Sequence, residues 1–199
     1  MSYGFDVINL AESVIQDERD LDINVENVVA SADINQQVDL LSILKVFRNV
    51  EYNPKRFPGL VFRLKRPKTA TLIFSSGKMV CTGAKSEKEA RSAVRKVVRE
   101  LKANDIVILN KPVIEIQNMV ASANLKRQVD LELAADLLEN VMYEPEQFPG
   151  LIYRMPDPKT VLLIFSSGKI VCTGGTSEKM VHRSVNTLYE LLDDYALFF

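Results

Sequence analysis

Histidine, cysteine and long apolar runs are what this sequence has little of. It has one histidine, His182, and two cysteines among 199 residues. No metal-ligand cluster can be assembled from them, and neither a Walker-type phosphate loop nor a nucleophile elbow occurs. Ser-Ser-Gly-Lys at 75–78 and again at 166–169 has a superficial likeness to a phosphate loop. It lacks the spacing, and it falls between two strand patterns instead of leading into a helix. Catalysis, a metal and a cofactor are therefore not expected. No apolar run approaches the roughly 20 residues that span a bilayer. The amino-terminal MSYGFDVINLAES has neither a basic n-region nor a signal-peptide core. The expectation is an intracellular protein with no membrane partner. Cys81 and Cys172 read as two buried thiols, since unpaired cysteine packs as a small apolar residue.

Net charge is nearly absent too, at −1, which by itself does not suggest a nucleic-acid binder. Its distribution is uneven. Residues 55–102 hold 14 basic and 3 acidic side chains, whereas residues 1–54 hold 3 and 10. Such a positive stretch on an otherwise acidic chain points to a polyanion, with a solvated charged helix as the plainer reading.

What is present is present twice. FPGLVFRLKRPKTATLIFSSGKMVCTG at 57–83 returns as FPGLIYRMPDPKTVLLIFSSGKIVCTG at 148–174, an offset of 91 residues without a gap. Extended, 23–102 falls on 114–193 with 38 identities in 80 positions. That period is much too long for a solenoid. Two such halves act as a covalent dimer with a pseudo-two-fold axis, and a ligand of approximate two-fold symmetry is expected. The chain divides into an acidic lead-in (1–22), a first repeat (23–104) and a second repeat (105–199), whose apolar end, 195–199, has no evident role.

Each repeat reads as strand, helix, four strands, helix. INVENVVASADI (23–34) is a strand with Val25, Asn27, Val29 and Ser31 on one face and Val28, Ala30 and Ala32 on the other. A helix over about 38–48 carries Leu40, Leu44 and Phe47 at helical spacing, kept as Leu131, Ala135 and Leu138. NVEYNPKRFPG (49–59) is a short strand and a loop. Strands at 60–65, 69–74 and 78–83 form a meander with tight turns. Ser86 and Glu89 make a capping box for a helix over 86–101, lined by Ala90, Val94, Val97, Val98 and Leu101, with Val181, Val185, Leu188 and Leu192 in the second copy. The connection at 103–113 has no Gly/Ser-rich run, so one continuous sheet is expected.

Two helices per repeat can cover only one side of that sheet. Strand alternation puts Met79, Cys81, Ile73 and Val28 under the helices. Val29, Val80, Leu72, Phe74, Asn27 and Thr82 then line the other side, with Val120, Val171, Leu163, Phe165, Asn118 and Thr173 from the second copy. An exposed apolar face of this extent marks a contact surface. Arg63, Lys68, Lys78, Arg154, Lys159 and Lys169 lie around it. An apolar floor with a basic rim suits a nucleic-acid minor groove, whose base and sugar edges are apolar and whose walls are phosphate.

EYNPKRFPG, LIFSSGK and TGAKSE in the first repeat, with QNMVAS, EPEQFPGLIYRM and LIFSSGKIVCTG in the second, carry a resemblance to the core of the TATA-box-binding proteins over about residues 23–195. The resemblance implies an α+β fold, a pseudo-two-fold saddle of two tandem repeats. In it a ten-stranded curved antiparallel sheet carries four helices on its convex face. It also implies a general transcription factor that binds the minor groove of AT-rich promoter duplex and bends it. The bend of about 80° and the apolar wedges of this family are general knowledge of it. By resemblance Phe57 and Phe74 wedge into one base step and Phe148 and Phe165 into another. Taken alone, Phe74 and Phe165, which lie in strands, read as core phenylalanines, while Phe57 and Phe148, in loops, are either tucked into the core or exposed for a purpose. Asn27, Asn118, Thr82 and Thr173 would meet base edges. Arg56, Arg63, Lys68, Lys78, Ser76, Arg154, Lys159, Lys169 and Ser167 would meet phosphate or sugar. Glu144, Glu146 and Gln147 resemble the residues that dock transcription factor B, ahead of RNA polymerase. The first-repeat counterpart, Asn53-Pro54-Lys55-Arg56, is basic.

FPG in both repeats, high internal symmetry and an acidic balance look archaeal, which places the protein in the cytoplasm and nucleoid, or in a nucleus if eukaryotic. The apolar underside also offers a DNA-free molecule a surface for homodimerisation. The competing reading is a pseudo-dimer that takes single-stranded nucleic acid or a protein on the same face, since RNA-binding sheets stack exposed aromatics on bases.

Overall fold

The structure, a computed structural model, describes residues 21–199, so the acidic lead-in lies, but for its last two residues, outside what is described. Among the described residues the first repeat runs β1 (Asn24–Asp33), α1 (Leu40–Val46), β2 (Val50–Glu51), β3 (Leu60–Leu64), β4 (Thr69–Ile73), β5 (Lys78–Ala84) and α2 (Glu87–Ala103). The second runs β6 (Val113–Asn124), α3 (Leu131–Leu137), β7 (Val141–Met142), β8 (Leu151–Met155), β9 (Thr160–Ile164), β10 (Lys169–Gly175) and α4 (Glu178–Asp194). All ten strands form one antiparallel sheet, ordered β2-β3-β4-β5-β1-β6-β10-β9-β8-β7, the expected curved sheet with four helices. The order reads the same from either end under the 91-residue offset. Val28 pairs with Met119, its own repeat mate, so the pseudo-two-fold axis passes between β1 and β6.

One face of the sheet is core. Val28, Ala30, Leu60, Phe62, Ile73, Met79 and Cys81 are buried on it, as are their counterparts in the second repeat, and α2 and α4 pack over them. The stripes expected on these two helices are the buried ones. Ser86 Oγ accepts the Glu89 N–H at 3.1 Å, and Ser177 Oγ accepts that of Met180 at 3.1 Å. The two helices begin side by side. The Glu87 N–H donates to Glu178 Oε1 at 3.3 Å and the Glu178 N–H to Glu87 Oε1 at 3.2 Å, so each helix start supplies a carboxylate to the other's unpaired amide. This reciprocal cap ties the repeats together on the helical side.

Three expectations are corrected. Val25 does not share a face with Asn27. A β-bulge between them reverses the alternation, so Val25 pairs with buried Ala121 and packs against the core. The same bulge recurs at Gln117 and sends Ile116 inward. α1 is shorter than 38–48. It buries Leu40 and Ile43 and leaves Leu44 exposed, while Phe47 lies past its end and packs edge-on against Phe62 at 5.0 Å. α3 likewise buries Leu131 and Ala134. The tail does have a structural role. Phe198 bridges to Val129, the Phe199 N–H reaches Gln128 O at 3.0 Å, and the Arg127 guanidinium lies 4.1 Å from the Phe198 ring centre. Leu197 is fully buried.

Both thiols are buried on the helical side, and burial pushes them up, Cys172 to about 11. They stay neutral and act as packing. His182 is exposed on α4.

Candidate nucleic-acid interface

Among the described residues no helix lies on the other face of the sheet. Strand register fixes which side chains share it, because directly paired residues point the same way. Asn27 faces Val120 and Val29 faces Asn118 across the axis; Thr173 pairs with Val120, Leu72 with Val80, and Leu163 with Val171. All twelve residues expected on this face, Phe74, Phe165 and Thr82 included, are half-buried on it. Val61 and Ile152, paired with Leu72 and Leu163, extend the apolar floor outward. They went unassigned, although they alternate with buried Leu60, Phe62, Leu151 and Tyr153 and could have been read from that pattern.

Near the axis the polar groups are locked. Asn27 Oδ1 accepts the Gly83 N–H at 2.8 Å and the Thr82 hydroxyl at 3.2 Å. Asn118 Oδ1 accepts the Gly174 N–H at 2.8 Å, with Thr173 Oγ1 at 3.4 Å. With both carbonyl oxygens engaged, each amide keeps its NH2 for donation; that of Asn118 also lies 3.4 Å from Thr173 Oγ1. The two innermost asparagines are thus donors, set symmetrically about the axis. A·T pairs show only acceptors in the minor groove, and G·C adds a donor there.

At each end of the face stands a pair of phenylalanines. Phe57 and Phe74 meet edge-on with ring centres 5.9 Å apart, and Phe148 and Phe165 do so at 5.8 Å. Phe57 is 41% exposed and Phe148 37%, so none of the four is a core residue. The local sequence makes the pairing possible. A Cβ on Gly59 would stand 2.6 Å from the Phe57 ring and 3.1 Å from that of Phe74, and Gly150 is as tightly placed. A side chain at either glycine would push on these rings, so glycine leaves the room in which loop and strand rings meet. A pocket lies beside each pair, one lined by Pro58, Phe74 and Lys78, the other by Pro149, Phe165 and Lys169.

The expected cations form an exposed rim. Arg63 and Arg154 alternate with buried residues of β3 and β8 and so stand on the open side. Lys78 and Lys169 begin β5 and β10, opposite Asp33 and Asn124. Lys68 and Lys159 precede β4 and β9, and Ser76 and Ser167 sit in the hairpin loops above the phenylalanines. Arg63 is partly neutralised by Glu51 at 3.3 Å. Arg56 and its mate Gln147 lie in the exposed loops leading to Phe57 and Phe148. Glu144 and Glu146 share the second loop, off the floor and at the molecule's end. Sequence reading missed Glu26 and Gln117, which the bulges turn toward this face.

Among the described residues no group of three His, Cys, Asp or Glu could hold a metal ion, and no helix is long and apolar enough to cross a membrane. The family model described as transcription factor TFIID, or TATA-binding protein, matches residues 22–104 and 113–195. A TATA-box-binding protein of Pyrodictium occultum is 57% identical over 169 residues, 85% of either chain. One of Sulfurisphaera tokodaii is 55% identical over 170 residues, 85% of this chain and 86% of that one. A solved structure described as Methanococcus jannaschii TBP superposes with a TM-score of 0.80 at 48% identity, over 86% of this chain and 98% of that one.

Proposed function

The chain belongs to the TATA-binding protein family, and from that premise we propose that it is a general transcription factor of archaeal type that binds the TATA element of promoter DNA in the minor groove. The observation that carries the reading is the open face itself. It has an apolar floor, two amide donors at a pseudo-two-fold axis, and a phenylalanine pair at each end.

Each part has a task in this reading. Asn27, Asn118, Thr82 and Thr173 meet the acceptor edges of central A·T pairs. Val29, Val80, Leu72, Val120, Val171 and Leu163 press on sugar and base edges. The phenylalanine pairs wedge into a base step at either end, unstack it and bend the duplex away, which lets the curved face keep contact. Arg56, Arg63, Lys68, Lys78, Arg154, Lys159 and Lys169, with Ser76 and Ser167, hold the phosphate walls. The bent complex then recruits transcription factor B and RNA polymerase in the nucleoid, and a DNA-free molecule can shelter its apolar floor by pairing with a second copy.

The test is one titration at fixed salt with an AT-rich duplex, a GC-rich duplex and a single-stranded RNA of equal length. Strong preference for the AT duplex supports the reading. Preference for the single strand would replace it with a base-stacking function of the same face.

Recruitment carries its own prediction. Glu144 and Glu146 are exposed in one end loop; their repeat mates in the other are Asn53 and Lys55, the latter beside Arg56. Exchanging the two loops' charges should cut transcription factor B recruitment to a preformed DNA complex by about tenfold, the scale of 1.4 kcal/mol. Unchanged recruitment would remove these loops from the docking surface.

A further inference from the structure

The open face carries carboxylates that a polyanion-binding surface has no evident need of. Glu26, Asp33 and Glu115 all stand on the two central strands: Asp33 opposite Lys78 and Val113, Glu115 opposite Ser31, and Glu26 at its bulge. Ninety-one residues away each is answered by an amide, respectively Gln117, Asn124 and Asn24. The local geometry is kept while the charge is not. Asp33 Oδ1 accepts the Asn35 N–H at 2.7 Å, and Asn124 Oδ1 accepts that of Lys126 at 2.9 Å. Glu26 Oε1 accepts from Ser122 Oγ at 2.8 Å, and Gln117 Nε2 donates to Ser31 Oγ at 2.7 Å, the two serines being repeat mates. The fold therefore accommodates either residue type at the Glu26/Gln117 and Asp33/Asn124 places. Lys85 Nζ lies 2.9 Å from Glu26 Oε2, and together with Ser122 it holds that carboxyl below its ordinary range, so it stays charged. The repeat mate of Lys85 is Thr176, so the ion pair too has no counterpart.

Resting on the DNA-binding reading above, we infer that Glu26, Asp33 and Glu115 determine specificity by penalising duplex whose minor groove has not been opened. In undistorted B-form the groove is about 6 Å wide, which brings both phosphate walls over the two central strands and beside these carboxylates. Wedging the groove open carries the walls outward, toward Arg63 and Arg154 on the outer strands β3 and β8. The repulsion thus falls on straight, non-specific DNA and is relieved in the bent complex. Discrimination is a difference of two affinities, and it can be raised by weakening the wrong complex. Non-specific binding, being almost wholly electrostatic, is where such charges count most.

The full chain and its E26Q/D33N/E115N variant would be titrated at one salt concentration against a TATAAA-centred duplex and a GC-rich duplex of equal length. The expected result is a Kd for the GC duplex about tenfold lower, as removing unfavourable charge from an electrostatic contact implies, with no more than about a threefold change for the TATA duplex. The reverse variant N24E/Q117E/N124D should weaken GC binding and widen the ratio; it and E26Q alone serve if the triple variant melts early. Equal factors on both duplexes, or no change on either, would overturn the inference. A wild-type chain without TATA preference would instead overturn the functional reading, and that result is seen before any substitution is made.

Discussion

Phe148→Ala combined with Phe165→Ala is expected to weaken binding of a TATA-centred duplex about a hundredfold. The two rings stand edge-on at 5.8 Å at the end of the open face. Contact between an aromatic side chain and a base contributes about 1–3 kcal/mol, so two rings lost at one step remove roughly 2–6 kcal/mol, and a hundredfold is about 2.8 kcal/mol. Removing the wedge also removes what keeps the step unstacked, so most of the change should appear as faster dissociation. The fold should survive, because Phe148 is 37% exposed and Phe165 lies on the uncovered side, outside the core. Phe57→Ala with Phe74→Ala should act alike at the other end. Binding within threefold of wild type, with the chain still folded, would take these residues out of the interface.

Gly168→Ala should be the most damaging small substitution for stability. Gly168 has φ +80°, and a Cβ there would overlap the Arg127 carbonyl oxygen. Its N–H donates to Phe165 O at 2.9 Å and its carbonyl accepts from Leu125 N at 2.9 Å, so the turn cannot shift freely. A left-handed backbone at a non-glycine residue costs about 1–2 kcal/mol, and overlap with fixed backbone brings the total to about 3 kcal/mol or more. For a chain of this size that is a fall in Tm of about 6–12 °C. Gly77, at φ +87° against the Gln36 carbonyl, should behave similarly. Since the turn joins Phe165 to Lys169, DNA binding should suffer as well. A Tm unchanged within about 2 °C would show that the turn relaxes more easily than its hydrogen bonds suggest.

The legible part of this protein was whatever repeats with a fixed local period. Alternation along β4, β5, β9 and β10 was enough to separate Leu72 and Val80 from Ile73 and Met79, and the 91-residue repeat placed every such side chain twice. Non-local features were not legible. A bulge is a property of two paired strands, so nothing in INVENVV alone says that Val25 turns inward or that Glu26 turns out. The reciprocal Glu87–Glu178 cap and the docking of Phe198 beside Arg127 depend on segments meeting only in the folded chain. The orientation of the Asn27 and Asn118 amides was hidden for the same reason. It is set by the N–H groups of Gly83 and Gly174, 56 residues away in each case. The phenylalanine roles came from resemblance; strand alternation put Phe74 and Phe165 on the uncovered face without saying what they do there.

The measurement that bears most directly on the central claim is energy transfer between dyes at the two ends of a short duplex centred on TATAAA, titrated with the wild-type chain. Minor-groove wedging at both ends of the open face predicts a saturable rise in transfer that tracks binding and is absent with a GC-rich duplex. Saturable binding that leaves the end-to-end distance unchanged would contradict it.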